Sequence, residues 1–343
     1  MRVISLFSGC GGLDLGFIKA GFEVVWANDF DKEAVQSYKF NIGEHIVHDS
    51  VYNIKTENIP DADILIGGFP CLGFTVAKGK DRKLDCDYNQ LFQEYARVLE
   101  GKQPKYFLVE NVTGIKSGKE FSDFFHNSIL KSFEIAGVGY KVKYETLISS
   151  DYGVPQNRKR VFFIGLLNGK NDFSFPLTTH SEVKITSAQA ISDLPEFELE
   201  NGSIYNTKHQ SEYQKLIRYN SEGIYNHQTT KHTESTKKMI ALVPDGGNYK
   251  SLPKELQEIR KVNIAWTRLN SKKPSFTIDT GHRHHFHYKF NRTPTVREAA
   301  RIQSFPDSFI FYGSKTAQEK QVGNAVPPLL AEVLAQSIKK YLL

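Results

Sequence analysis

Cys71 closes the run Gly67-Gly68-Phe69-Pro70-Cys71, and a thiol just past a short apolar segment is open to substrate and, once ionised, is a nucleophile. A cysteine standing alone is more often a small buried hydrophobe. Two other groups occupy comparable places along the chain: Glu110-Asn111-Val112 ends one apolar run and Gln156-Asn157-Arg158-Lys159-Arg160 adjoins another. A thiol, a carboxyl and two guanidinium groups would then converge on one edge of a sheet, where open parallel sheets bind their ligands. Taken singly, Glu110 also fits a helix cap, and Arg158 and Arg160 a solvated basic face.

A second set of residues lies upstream. Ser8-Gly9-Cys10-Gly11-Gly12 falls between the apolar run from Val3 to Phe7 and a helical pattern from Leu13 to Ala20. Such a loop presents backbone N–H groups and a helix N-terminus to a ligand. The next apolar run ends in Asn28-Asp29, about 20 residues after Gly9, where an acidic side chain can hold ribose hydroxyls. Asp14 stands where the third glycine of a dinucleotide fingerprint would fall, so adenosine without a pyrophosphate is preferred over a dinucleotide. The alternative is a glycine turn that only packs helix on strand. Asp49 could reach an adenine edge or be a surface turn residue.

These groups need a frame, and the chain supplies one. Strand-like runs at Glu23 to Ala27, Asp63 to Ile66, Tyr106 to Val109 and Val161 to Leu166 alternate with helix-like stretches at Lys32 to Phe40, Leu91 to Leu99 and Glu120 to Ile135. The alternation predicts an α/β fold with a mainly parallel sheet covered on both faces. After about residue 168 the pattern gives way to a polar stretch holding eight of the 11 histidines, with four of them between His282 and His287. Helical order returns from Thr295 to Gln303 and from Leu329 to Lys340. Three segments are therefore expected: 1–170 as a catalytic and cofactor-binding domain, 171–290 as a loop-rich module, and 291–343 as a return to the first domain.

Composition adds bounds. With 343 residues, 40% hydrophobic, the chain can bury a full core beside a smaller domain. A net charge of +6 favours a polyanionic partner, weakly. Three cysteines form no closed disulfide set and none of the close spacings of a zinc site. A reducing, cytoplasmic setting is expected, with no metal, no leader and no membrane span.

Read in order, the chain resembles a bacterial DNA cytosine-5 methyltransferase of the restriction–modification type. The resemblance is carried by Leu6-Phe7-Ser8-Gly9-Cys10-Gly11-Gly12-Leu13, Asn28-Asp29-Phe30-Asp31-Lys32, Gly67-Gly68-Phe69-Pro70-Cys71 and Glu110-Asn111-Val112. It continues through Asp151 to Arg160, Arg297-Glu298-Ala299-Ala300-Arg301, Phe305-Pro306-Asp307 and Gln321-Val322-Gly323-Asn324-Ala325-Val326-Pro327. It implies a Rossmann-like S-adenosylmethionine-dependent methyltransferase fold, with residues 171–290 as the target-recognition domain.

The resemblance also implies roles. Cys71 would add to C6 of a cytosine swung out of the duplex, Glu110 would hold or protonate N3, and Arg160, with Arg158 close by, would bind the O2 side. Phe7, Gly9, Gly12, Asp29, Phe30, Asp49, Pro70, Leu91 and Asn324 would bind S-adenosylmethionine. Thr277, Arg283 and His284 would contact DNA. The implied partner is double-stranded DNA, bound by a monomer, with a cognate endonuclease acting on the same site without a stable complex.

Three departures stand out. Leu72 follows Cys71 where the family usually has Gln, Asp29 stands where Glu is commoner, and Pro294 replaces the usual Leu before a helix. Other readings remain at this stage: an RNA cytosine-5 methyltransferase with the same motifs, a non-catalytic DNA-binding relative, whose mark would be loss of Cys71 or Glu110, and a nicotinamide-dependent oxidoreductase, disfavoured by Asp14.

Overall fold

The computed structural model describes residues 1–70, 91–169, 173–257, 266–281 and 285–342. Within them the chain divides into two compact units, one of Met1–Ile148, Lys159–Leu177 and Ala331–Leu343, the other of Ser149–Arg158 and Thr178–Leu330.

The first unit is built on a sheet of seven described strands: β1 (Arg2–Leu6), β2 (Glu23–Asp29), β3 (Ile46–His48), β4 (Ile64–Gly67), β5 (Tyr106–Val112), β6 (Tyr140–Ile148) and β7 (Lys159–Leu167). Their order is β3-β2-β1-β4-β5-β7-β6. The pairs from β3 to β5 are parallel, and β7 runs antiparallel to β5 and β6. β4 is buried throughout and β1 everywhere but Arg2, as their mainly apolar runs demand of central strands covered on both faces. The connections turn one way from β1 to β2 and the other way to β4. That reversal makes the carboxyl ends of these strands the natural place for a ligand.

Helices α1 (Gly12–Lys19), α2 (Lys32–Asn41) and α3 (Leu91–Lys102) link the parallel strands, and α4 (Lys119–Phe124) and α5 (Lys131–Ile135) follow β5. Asp31 caps α2 by accepting from the Ala34 amide. The helix expected from Glu120 to Ile135 is interrupted by a π-helical stretch, Phe125–Leu130. Phe69, Phe92, Tyr95, Phe107, Phe125 and Phe133 fill one face of the sheet together with Ile4 and Leu6. Two strands escaped the sequence reading. β3 is three residues long, too short for a period, and β6 is an edge strand whose Tyr-Lys-Val-Lys-Tyr-Glu alternates as a half-buried strand should, a signal the reading passed over.

The second unit carries α6 (Ser187–Ile191), α7 (Glu212–Ile217), α8 (Glu234–Ala241), α9 (Lys254–Gln257), β8 (Thr267–Arg268) paired with β9 (His285–Phe286), α10 (Val296–Ile302) and α11 (Lys315–Asn324). Pro328–Leu342 forms α12. Of 291–343, which the sequence assigned to the first domain, the first unit takes back Ala331–Leu343, while the second also holds Ser149–Arg158.

The reason is charge. Arg297 and Arg301 on α10 are fully buried. Arg301 grips Asp307 through Nε and Nη2 at 2.7–3.1 Å and also pairs with Asp193. Arg292 holds Glu298 with two bonds of 2.7 and 2.8 Å. Buried guanidinium groups are tolerable only with such fork-shaped partners, and these partners lie within the second unit. Thr295 and Glu298 form a capping box that starts α10 immediately after Pro294.

Candidate active site

A cavity of about 320 Å³ opens at the carboxyl ends of β1, β2 and β3, a size typical of small-molecule sites. Phe7, Asn28, Asp29, Phe30, Asp49, Ser50, Val51, Tyr52 and Leu91 line it. Five of these, Phe7, Asp29, Phe30, Asp49 and Leu91, are residues the sequence singled out for cofactor binding. Asn28 and the run Ser50-Val51-Tyr52 were missed, although the latter directly follows the short β3.

Geometry fixes each group. Phe7 sits in the left-handed region at φ 55°, backbone strain of the kind found at ligand sites. The Asp29 carboxylate accepts from the Gly9 amide on Oδ2 and the Asp31 amide on Oδ1, both at 2.8 Å, which ties strand end to glycine loop. Asp49 Oδ1 accepts from the Ser50 amide and the Asn53 side chain, and among the described residues Oδ2 has no hydrogen-bond partner. Asn28 joins the parts: its side-chain amide donates to the Val47 and Asp49 carbonyls, and its own carbonyl accepts from Ser8 N and Oγ. Phe30 is 54% exposed, which leaves an aromatic face open to a flat ring, and Tyr52 is 57% exposed. Two carboxylates, an open aromatic face and an apolar wall suit a cationic adenosine compound. Gly12 is buried at the start of α1, Pro70 is half-buried past β4, and neither lines the cavity.

Beneath the loop lies Asp14, fully buried, with Oδ1 accepting from the Tyr38 hydroxyl at 2.9 Å and Oδ2 from Ser5 Oγ at 3.1 Å. Burial raises its pKa to about 6. In the second unit burial lowers His287 to about 4. The two act on stability in opposite senses. His287 folds neutral, so its contribution is complete above pH 6.5 and fades as pH falls towards 4; Asp14 folds protonated, so its contribution grows as pH falls from 6. The gap in stability between wild type and Asp14→Asn should therefore widen in favour of the wild type as pH falls from 6.5 to 4.5. Thermal midpoints measured across that range test this, and parallel curves for the two proteins would refute it.

The second constellation lies at the β4, β5 and β7 edge. In the β5–β7 ladder Val112 pairs with Arg160 and Glu110 with Phe162, so Glu110 and Arg160 are diagonal neighbours on one face. Arg160 Nε lies 2.9 Å from Glu110 Oε1, with both side chains largely buried. The contact is an ion pair without hydrogen-bond alignment, since Oε1 has no aligned donor among the described residues. Burial lowers the Arg160 pKa and Glu110 opposes that shift. A Cβ on Gly68 would stand 3.2 Å from Glu110 Oε2 and 3.3 Å from the Glu110 carbonyl, so any larger residue would force the carboxylate to shift by a few tenths of an ångström. The Asn111 side chain donates to the Phe69 carbonyl at 3.3 Å. The segment leading to Cys71 is thus laid against the carboxylate, and Asn111, not singled out from sequence, anchors it. Cys71 itself, like Leu72, Arg283 and His284, lies outside the described residues. Among the described residues no group of side chains could hold a metal ion, and no helix is long and apolar enough to cross a membrane.

Other expected residues fall in the second unit. Arg158 is buried there, and its Nη1 and Nη2 donate to the Ile278 and Gly323 carbonyls at 3.3 and 2.9 Å. Thr277 is half-buried beside Ile278, and Asn324 is the exposed last residue of α11. Of the histidine run, His285 and His287 are among the described residues. His285 is buried and stacked on Phe276, while His287 is fully buried, with Nδ1 accepting from the Lys289 and Phe290 amides.

A sheet of this order, with a nucleoside-sized cavity at the carboxyl ends of its strands, is the Rossmann-like fold of S-adenosylmethionine-dependent methyltransferases. The profile described as "C-5 cytosine-specific DNA methylase" matches residues 1–340. The chain belongs to that family, and DNA cytosine-5 methyltransfer is its activity. It is 36% identical to the Type II methyltransferase M.NgoFVII of Neisseria gonorrhoeae over 98% of this chain and 86% of that protein. It is also 36% identical to Type II methyltransferase M.MthTI of Methanothermobacter thermautotrophicus, over 99% and 97%. A putative DNA modification methyltransferase encoded within a prophage (E. coli) superposes with a TM-score of 0.81 at 26% identity, covering 100% of this chain and 99% of that one.

Proposed function

We propose that the protein methylates C5 of one cytosine within a short duplex DNA sequence, through a covalent adduct between Cys71 and C6, and thereby shields host DNA from a cognate endonuclease. The observation that carries this reading is the Glu110 carboxylate, paired with Arg160 and closely approached by Gly68 in the segment just past β4 that leads to Cys71.

Cytosine C5 is a poor nucleophile. Attack of the Cys71 thiolate on C6 moves the ring electrons onto C5, as Glu110 protonates or holds N3 and hydrogen-bonds the exocyclic amine. Arg160 balances the charge that develops on the O2 side and keeps Glu110 oriented. S-adenosylmethionine, when bound, supplies the electrophilic methyl group. Loss of the C5 proton to a base then expels the thiolate and restores the ring. Phe7, Gly9, Gly12, Asp29, Phe30, Asp49, Pro70, Leu91 and Asn324 are assigned to the cofactor, with Asn28 holding Asp49. Arg158, whose donors serve the Ile278 and Gly323 carbonyls, is assigned a positioning role in place of direct contact with the base. Thr277, Arg283 and His284 are assigned to DNA, within a target-recognition segment spanning 171–290, since reading a duplex site needs a sizeable surface in the groove. The partner is duplex DNA, met by a monomer in the cytoplasm.

Expression in a host lacking cytosine-5 methylation, followed by genome-wide mapping of 5-methylcytosine, tests the reading. One short sequence should be modified at nearly every occurrence. In Glu110→Gln the methylation rate on purified duplex should fall by about 10²- to 10⁴-fold, the usual worth of a positioned acid. Unmodified DNA beside methylated host RNA would overturn the substrate assignment, and an undiminished rate in Glu110→Gln would overturn the role of that carboxyl.

A further inference from the structure

Asp14 interrupts a glycine fingerprint, is wholly buried, and takes no part in the chemistry above. Its surroundings form a continuous hydrogen-bonded path. Asp14 Oδ1 faces the Tyr38 hydroxyl at 2.9 Å, and that hydroxyl lies 3.1 Å from His45 Nε2. Tyr38 is fully buried, whereas His45 is only half-buried and reaches solvent. The same tyrosine helps support the loop: a Cβ on Gly11 would fall 2.2 Å from Ile42 Cδ1 and 2.9 Å from the Tyr38 ring, so Gly11, at φ 91°, rests on these two α2-side residues. Asp14 thus lies under the loop whose Gly9 amide bonds Asp29 at the cavity wall, and it is within electrostatic reach of Asp29.

We propose that Asp14, Tyr38 and His45 form a proton path beneath the cofactor loop, through which pH sets the preference of the site for the sulfonium cofactor over its neutral thioether product. The inference rests on the cavity being the cofactor site. With Asp14 ionised, the tyrosine hydroxyl donates to Asp14 and accepts from His45 Nε2–H. Protonation reverses every bond. A proton from water arrives at His45 Nδ1, the Nε2 proton passes to Tyr38, and the tyrosine proton passes to Asp14. Asp14 then donates to Tyr38, Tyr38 donates to Nε2, and histidine is left neutral with its proton on Nδ1. Tyr38 is never ionised, since burial pushes its phenol far above the usual value.

Ionised Asp14 places a negative charge behind a cavity already lined by Asp29 and Asp49, and such a charge favours a cation over its uncharged counterpart. S-adenosylmethionine and S-adenosylhomocysteine share every titrating group and differ in the sulfonium charge. The ratio of their dissociation constants therefore isolates the charge of the site. Facing Asp14 are Ser5 from β1, Tyr38 from α2, the Cys10 thiol of its own loop and, at longer range, Asp29 from β2. Asp31 acts on Cys10. His48 Nε2 lies 3.1 Å from the carbonyl of Phe30, which lines the cavity.

Equilibrium binding of both compounds, by calorimetry between pH 5 and 8, supplies the test without any turnover. In the wild type the preference for S-adenosylmethionine should weaken by roughly three- to tenfold as pH falls through the region of 6, the scale of one partly screened charge. Asp14→Asn should hold the weaker preference at every pH. Tyr38→Phe removes a hydrogen bond that favours ionised Asp14, so its transition should move to higher pH. A wild-type ratio independent of pH, or a transition surviving in Asp14→Asn, would overturn the inference. Failure of the wild type to bind either compound would instead overturn the cofactor assignment of the cavity.

Discussion

Cys71→Ala should abolish methyl transfer to duplex DNA while leaving S-adenosylhomocysteine binding within about twofold of wild type, and Cys71→Ser should do the same. The expectation follows from the electron demand of the reaction. Without addition at C6, C5 stays within an aromatic ring and offers no electron pair to an electrophile, so no rearrangement of Glu110 or Arg160 can compensate. A serine hydroxyl is far less ionised near pH 7 than a cysteine thiol, and removing one member of a cooperating set removes most of what the set achieves. Cofactor binding should persist because the cavity is walled by other residues. Cys10 cannot substitute: it is buried, and its thiol is pushed well above the ordinary range by burial and by Asp29. Measured initial rates on duplex DNA, with binding followed separately, check both halves. Full activity in Cys71→Ser would remove the covalent adduct from the mechanism.

The parts legible in the sequence were those fixed by local pattern. Strand ends are marked by where apolar runs stop, so Phe7, Asp29 and Glu110 could be placed at the carboxyl edge before any packing was known. The order of those strands, and hence which ends are neighbours, depends on crossovers that leave no trace in composition. For that reason Arg158 and Arg160, two residues apart, read as one group. The β5–β7 register takes Arg160 to Glu110, and the bonds of Arg158 are to Ile278 and Gly323. The polar segment was the least legible. Histidines and arginines there look like a solvated or nucleic-acid-facing surface when read singly, but His287 is buried, and Arg268 is buried with its donors on the Ile240, Val243 and His287 carbonyls. Charge reports exposure only when the partner is unknown, and fixing the partner reverses the reading.

That reversal gives the largest stability effect expected in the molecule. Arg301→Leu should destabilise the fold by about 3–5 kcal/mol, the range for removing one partner of a buried ion pair. Asp307 would keep the Tyr205 hydroxyl at 2.6 Å and a distant Arg297 at 3.7 Å, and Asp193 would keep Arg218 at 3.1 Å. None of these replaces the fork that Arg301 closes on Asp307 from two nitrogens while reaching Asp193 with the third. Two carboxylates would remain in a site that excludes water, and at least one would have to take up a proton on folding. Arg301→Lys retains the charge but not the planar fork, so an intermediate loss is expected. Lys237→Ala, which breaks only the exposed pair with Glu234, should change stability by under about 1 kcal/mol. The decisive comparison adds Asp307→Asn to Arg301→Leu. If the cost arises from stranded charge, the double variant should recover part of the loss, because neutral Asn needs only hydrogen bonds. If it arises from lost side-chain volume, the second substitution should add its own penalty. Denaturant midpoints at pH 7 distinguish the two, and a loss below about 1 kcal/mol for Arg301→Leu alone would mean that this buried cluster contributes little to holding the second unit together.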